Sequence, residues 1–158
     1  MTSDLPHLTE AGHVHMVDVS GKESTLRRAA AEALVTMSTE VTARVFGDDL
    51  PKGDALAAVR LAGIMAAKRT ADLIPLCHPL PLESVTVEIE QNSSGARICA
   101  TVTTAGRTGV EMEAMMAVSI AALTLYDMVK GLERGVEIGP IRLLHKSGGK
   151  SGTWERQS

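Results

Sequence analysis

Asp127 and Lys130 stand three positions apart in Tyr126-Asp127-Met128-Val129-Lys130. On a helix they share a face, so each charge tunes the other's pKa. A carboxylate beside an ammonium can give and take protons, which is the acid–base work that reactions of polar small molecules need near neutral pH. His78 lies in Leu76-Cys77-His78-Pro79-Leu80-Pro81, a loop stiffened by Pro75, Pro79 and Pro81. A general acid or base needs its geometry held before its pKa matters, and this loop would hold it. A histidine bonded only to backbone is the commoner occupant of such a loop. Lys146-Ser147-Gly148-Gly149-Lys150-Ser151-Gly152 offers glycine N–H groups and two lysines that could wrap a phosphate. It is not a P-loop: Leu144 stands where the first glycine is required, and the run opens no helix. A flexible tail is the plainer alternative. Lys52, in a Pro51-Lys52-Gly53 turn, would ordinarily be a solvated lysine.

Thr108 to Lys130 is the element that must position most of these groups. Thr108 with Glu111 spells a capping box, and Gly131 falls where a helix C-cap takes glycine, which predicts a helix over 108–130. From Val110 to Lys130 there is no Gly or Pro. Acids in a first turn and a lysine in a last turn are each favoured by the helix dipole by about 0.3–1 kcal/mol. Glu111 and Lys130 therefore have an ordinary helical explanation; Asp127, near the C-terminus, sits against the dipole and lacks one. A helix apolar nearly all round is buried on more than one side. Its own sheet can cover one side, and a partner subunit is the simplest cover for the other. At about 1.5 Å per residue, Glu113 and Asp127 lie roughly 21 Å apart along the axis. One helix cannot bring both ends into one small pocket. Either one end is structural, or a site joins one end to residues of another chain.

The remaining elements follow from pattern and punctuation. A strand is expected over about 27–37, then a short helix opened by Ser38 or Thr39 and closed by Gly47. Gly47–Gly53 reads as a loop. Asp54 caps a helix running to about Leu73 and stopped by Pro75, with a small-residue patch at Ala62, Gly63, Ala66 and Ala67. Lys68 and Arg69 suit its solvated end. Ser84–Gln91 alternates, with Val85, Val87 and Ile89 on one face, and residues 92–95 turn the chain. Arg97–Thr104 returns with Ile98, Ala100 and Val102 inward. A last strand falls within 136–144, interrupted at Gly139-Pro140. This order predicts an α+β fold of the ferredoxin-like, split βαβ kind: an antiparallel sheet with helices packed on one face. We expect a single domain over 1–158, with 1–15 and 147–158 flexible when no ligand is bound.

Composition narrows the function. The 158 residues carry a net charge of −3, so no global basic field recruits nucleic acid. Phe46, Tyr126 and Trp154 are the only aromatics, too few for a base-stacking platform. Cys77 and Cys99 form neither a CxxC pair nor a disulfide framework. No apolar leader stands at the N-terminus, and the terminal charges of 108–130 leave too short an apolar run for a membrane span. A soluble, cytoplasmic protein with no membrane partner is expected. His13 and His15 could hold a metal through two imidazoles, but nothing completes a ligand set, so no metal or other cofactor is expected.

Longer motifs carry a resemblance. His15-Met16-Val17-Asp18-Val19-Ser20, Lys52-Gly53-Asp54, Ala66-Ala67-Lys68-Arg69-Thr70, Asp72 through Pro79, and Thr108-Gly109-Val110-Glu111-Met112-Glu113-Ala114 are similar to the molybdenum cofactor biosynthesis protein C (MoaC) family. So are Ala121-Ala122-Leu123-Thr124, Tyr126-Asp127-Met128 with Lys130, and Gly139-Pro140 through Gly152. The resemblance runs from about residue 8 to 153. It implies a cyclic pyranopterin monophosphate synthase, a lyase that acts on 3′,8-cyclo-7,8-dihydroguanosine 5′-triphosphate and releases pyrophosphate. It further implies a hexamer built as a trimer of dimers, with the site at a dimer interface. By motif, Lys52, Asp127 and Lys130 resemble the catalytic core. Leu76, Cys77, His78, Glu111, Met112, Glu113 and Arg27 resemble the pocket lining, and Lys146 and Lys150 its phosphate side. A non-catalytic module binding a nucleotide or a partner protein is the competing class. It gives no reason for Lys130 beside Asp127.

Overall fold

The structure, a computed structural model, is described for residues 7–157. In chain order it comprises β1 (Thr25–Thr36), α1 (Thr39–Phe46), α2 (Ala55–Lys68), α3 (Thr70–Leu73), β2 (Ser84–Asn92), β3 (Gly95–Gly106), α4 (Glu111–Val129), β4 (Glu137–Ser147) and β5 (Trp154–Glu155). The strands form one antiparallel sheet in the order β2-β3-β1-β4-β5, whose first four strands have the split βαβ order. β1 and β3 supply its buried face by alternation: Ala29, Ala31 and Ala33 stand opposite Val102, Ala100 and Ile98, all at most 1% exposed. Against this face lies α4, flanked by α2.

Small side chains govern that packing. Ala114, Ala117, Val118, Ala121, Ala122, Leu125 and Val129 of α4 are all 0% exposed. By length and composition the helix could cross a membrane, contrary to the expectation from its terminal charges. It forms instead the centre of the core between sheet and α2. The patch read in α2 is part of that contact, since Gly63 is buried where a Cβ would lie 3.1 Å from the Ala117 carbonyl oxygen and 3.4 Å from the Ala121 Cβ.

Capping explains most boundaries. Ser38 Oγ accepts from the Val41 N–H at 3.3 Å and opens α1, and Asp54 Oδ1 accepts from the Ala57 N–H at 2.9 Å and opens α2. The expected helix from Asp54 to Leu73 is broken at Arg69. There Thr70 Oγ1 donates to the Ala67 carbonyl at 3.0 Å, taking up an acceptor of the last turn of α2. The capping box at Thr108 does not form: α4 starts at Glu111, its N-cap is Val110, and no side chain caps it. Gly131 does not take up a left-handed cap either; Lys130 occupies the C-cap with right-handed helical dihedrals. β4 is not interrupted at Gly139-Pro140 but runs through it, absorbing register shifts against β1. β5 was not anticipated, because two residues carry too little pattern to read.

Gly63 offers a direct test of this packing. A Gly63→Val substitution drives a branched side chain into the α4 backbone, and overpacking of this kind costs roughly 1–3 kcal/mol. Urea unfolding is expected to show that loss with an unchanged slope; a midpoint equal to that of the unaltered protein would mean that α2 and α4 are not tightly apposed.

Candidate active site

The beginning of α4 opens into a cleft of about 290 Å³ between the Leu76–His78 loop, the Thr108–Glu113 segment and the arm carrying Val17 and Val19. His78 Nε2 lies 2.8 Å from the Val17 carbonyl oxygen. A carbonyl only accepts, so Nε2 carries the hydrogen and Nδ1 is the acceptor nitrogen of the neutral ring. The histidine therefore makes the backbone bond that is the commoner role in such a loop, and in doing so fastens the arm across the cleft. Leu76, Cys77, Glu111, Met112 and Glu113 join it in the lining. Glu113 is only 4% exposed. Burial pushes its carboxyl pKa up, its own backbone N–H pulls it down, and the charge of Glu111 pushes it up again. Burial, then the charge of Glu113, raises the Cys77 thiol, so Cys77 stands as a thiol and a poor nucleophile.

A second cleft of about 670 Å³ adjoins the first, sharing Lys22, Thr108 and Gly109 with it. Arg27 projects into it from β1. Its Nε donates to the Gly106 carbonyl at 3.1 Å and its Nη2 to the Arg107 carbonyl at 3.2 Å. The glycine-rich loop forms the opposite wall. Gly148 and Gly149 adopt φ of +97° and +70°, and side chains there would collide with the Leu26 carbonyl and the Arg27 guanidinium. Gly152 N–H donates to the Gly149 carbonyl at 3.2 Å, and β5 pairs Trp154 with Lys146. Lys150 lines the cleft, whereas Lys146 is not in its lining and donates to Ser151 Oγ. Of the ends expected to be flexible, residues 1–6 and 158 lie outside the described residues.

The other end of α4 holds a separate cluster. Lys52 Nζ donates to the Asp127 carbonyl oxygen at 2.6 Å and to Asp127 Oδ2 at 3.1 Å, while Lys130 Nζ lies 2.7 Å from Oδ1. Hydrogen bonds from Lys130 and then Lys52, reinforced by their charges, hold the Asp127 carboxyl below its usual range. The same pairing raises Lys130. The shift of Lys130 is upward because its side chain is 52% exposed and faces a carboxylate. Lys52, dismissible from its turn, is brought to Asp127 by the loop ahead of α2, with Gly53 at φ +88°.

The structure thus gathers Leu76, Cys77, His78, Glu111, Met112 and Glu113 in one cleft, with Arg27 and Lys150 next door. It sets Lys52, Asp127 and Lys130 apart by most of the length of α4. Val17, Val19, Lys22 and Arg107 also line the clefts and were not singled out from sequence. The His15–Ser20 motif carried a signal for the first two, but two valines have no chemistry to announce them.

In this split βαβ fold, a basic, glycine-walled cleft beside a buried carboxyl brings together groups that could hold a small anionic molecule. The model of the MoaC family matches residues 16–149, and the chain belongs to that family. It is 55% identical over 155 residues to the cyclic pyranopterin monophosphate synthase of Corynebacterium glutamicum (strain R), covering 98% of this chain and 99% of that protein. It is 57% identical over 152 residues to the protein of the same name from Roseiflexus sp. (strain RS-1), with coverage of 95% and 96%. The Cereibacter sphaeroides (strain KD131) protein of that name is 57% identical over 155 residues, covering 97% and 98%.

The burial of Glu113 has a measurable consequence. Because its pKa is raised in the fold, the ionised form costs stability, and that cost sets in as pH rises above 4.5, the ordinary value. Glu113→Gln is expected to be more stable than the unaltered protein at neutral pH. The difference should shrink on acidification and disappear below 4.5. Urea midpoints measured across pH check this, and a difference independent of pH would contradict it.

Proposed function

We propose that this protein is a cyclic pyranopterin monophosphate synthase of molybdenum cofactor biosynthesis. It converts (8S)-3′,8-cyclo-7,8-dihydroguanosine 5′-triphosphate into cyclic pyranopterin monophosphate and releases pyrophosphate, which makes it a lyase. It acts as a single-domain, cytoplasmic enzyme without a protein-bound cofactor. The observation that carries the proposal is the Lys52–Asp127–Lys130 cluster. Exposed ion pairs contribute little stability, so folding alone does not account for drawing Lys52 onto the last turn of α4. Remodelling a purine-derived ring requires several proton transfers, and a carboxylate between two ammoniums can supply them. Forming a cyclic phosphate while expelling pyrophosphate requires positive charge on the departing oxygens, and Arg27 and Lys150 offer it.

The active unit is a dimer, assembled further into a hexamer. The cleft and the cluster lie at opposite ends of α4, roughly 21 Å apart by the rise of a helix. Between them runs an apolar stripe, with Met112 41% and Leu123 54% exposed and Met116 and Ile120 half-buried. A twofold axis through Ile120 would cover this stripe with its own copy. It would also set Glu113 opposite the partner subunit's Asp127, since both lie seven residues from Ile120. Two complete sites then arise from two incomplete chains. Incubation with the cyclised triphosphate, with assays for pyrophosphate and the pterin, tests the reaction. Tight binding without pyrophosphate release would favour a non-catalytic nucleotide-binding module.

Two variants separate the roles. Lys130→Ala is expected to unfold at nearly the same temperature as the unaltered protein, while turnover falls on the order of 10²–10⁴-fold. Turnover within a few-fold of the unaltered rate would leave Lys130 as a helix-terminal cation. The composite site is tested by mixing Lys130→Ala chains with Arg27→Ala chains after dissociation and reassembly. Random pairing in a twofold dimer restores about a quarter of the sites. Activity no greater than the sum of the two inactive preparations would place the whole site within one chain.

A further inference from the structure

Arg27 and Lys150 do not account for all the positive charge in the second cleft. Lys22 and Arg107 also face it, against the single carboxylate of Glu23 among the described residues, in a chain whose net charge is −3. Arg27 is largely committed, because two of its nitrogens serve the carbonyls of Gly106 and Arg107 and the third faces Gly149. By holding the Arg107 carbonyl it fixes the backbone from which the Arg107 side chain departs. Arg107 itself is exposed and forms no ion pair with another described residue. Thr25 Oγ1 is buried in the same wall without a hydrogen-bond partner among the described residues.

Position along the two clefts distinguishes these cations. Lys22 lines both and so stands at their junction, whereas Arg107 lines only the second. A triphosphate whose ring occupies the first cleft passes the junction with its α-phosphate and reaches the second with its β- and γ-phosphates. We propose that Arg107 is a binding residue for the departing diphosphate. This rests on the synthase reading. A substrate hydroxyl oxygen bonds to the α-phosphorus while the bond from that phosphorus to the bridging oxygen breaks. The electron pair leaves with the diphosphate, and the hydroxyl proton passes to a base in the pocket. Arg107 meets only the departing half, with a planar fork that matches two phosphate oxygens at once. Pyrophosphate therefore remains bound after the bond breaks and inhibits the next turnover.

Calorimetric titration of the full-length protein with inorganic pyrophosphate tests this without requiring turnover. Arg107→Gln is expected to weaken pyrophosphate binding at least about tenfold, the loss of one charge-assisted contact. Arg107→Lys, which keeps the charge but not the fork, should fall in between, and the pyrophosphate inhibition constant should move in parallel. Binding by Arg107→Gln within twofold of the unaltered protein would overturn the proposal, as would no pyrophosphate binding by the unaltered protein. If the protein binds pyrophosphate through Arg107 yet makes no product, the synthase reading fails and the diphosphate site stands.

Discussion

Close apposition of α4 to the sheet and to α2 is the constraint on which the rest depends. Alanines on β1, alanines and valines on α4, and Gly63 on α2 leave backbones little separated, so almost nothing can shift without opening a void. A rod packed this way fixes the directions of the side chains at its two ends. Its first turn aims Glu113 into a cleft, and its last turn presents Asp127 to a lysine arriving from the loop before α2. The same rigidity keeps the two ends apart, because a buried helix cannot bend to bring them together. A second copy of the chain is the economical way to unite them, and the stripe left uncovered on α4 is suited to receive it.

The clefts are built differently from the cluster. Around the first, burial dominates: it keeps Glu113 inclined to hold its proton and Cys77 its thiol hydrogen. Around the second, backbone dominates. Carbonyls of residues 106 and 107 hold Arg27, and left-handed glycines let the loop pass close to it. Arg27 is thus held at the rigid end of β1, which would limit the entropy lost were it to meet an anion.

Much of this was legible in the residues, and the failures have physical causes. The β2–β3 hairpin was readable because alternation over two runs and a polar turn all agree. Asp54 was readable as a cap because it stands directly before an apolar-periodic run, while at the start of α1 the pattern left Ser38 and Thr39 open and the structure takes Ser38. The capping box at Thr108 misled: Gly109 and Val110 intervene without helical pairing, and the Glu111 side chain folds back over Gly109. The break lies at Arg69, where φ is −112° and ψ 15°, a local backbone turn that no periodicity encodes. The candidate site could be read only through long motifs. Charge and spacing singled out Asp127 and Lys130, but nothing local to Lys52 distinguished it from a solvated lysine, because its partner lies seventy-five residues away. Arg107 escaped for the same reason, since its surroundings come from three distant parts of the chain.

The arrangement of charge along α4 completes the picture. Acids at the start of a helix are in keeping with its dipole; an acid at the end is not. Asp127 stays ionised there because two ammoniums flank it, and the same contacts keep Lys130 protonated. Within one chain the cluster is therefore set to donate protons rather than to accept them. Covering it with an apolar surface would penalise every charged form and narrow the gap between donor and acceptor states. Bringing in a neighbouring carboxyl such as Glu113, already reluctant to ionise, would do so without adding a full negative charge. In the proposed dimer, burial of Glu113 at one end and exposure of the lysines at the other would be complementary halves of one proton balance, drawn from different chains.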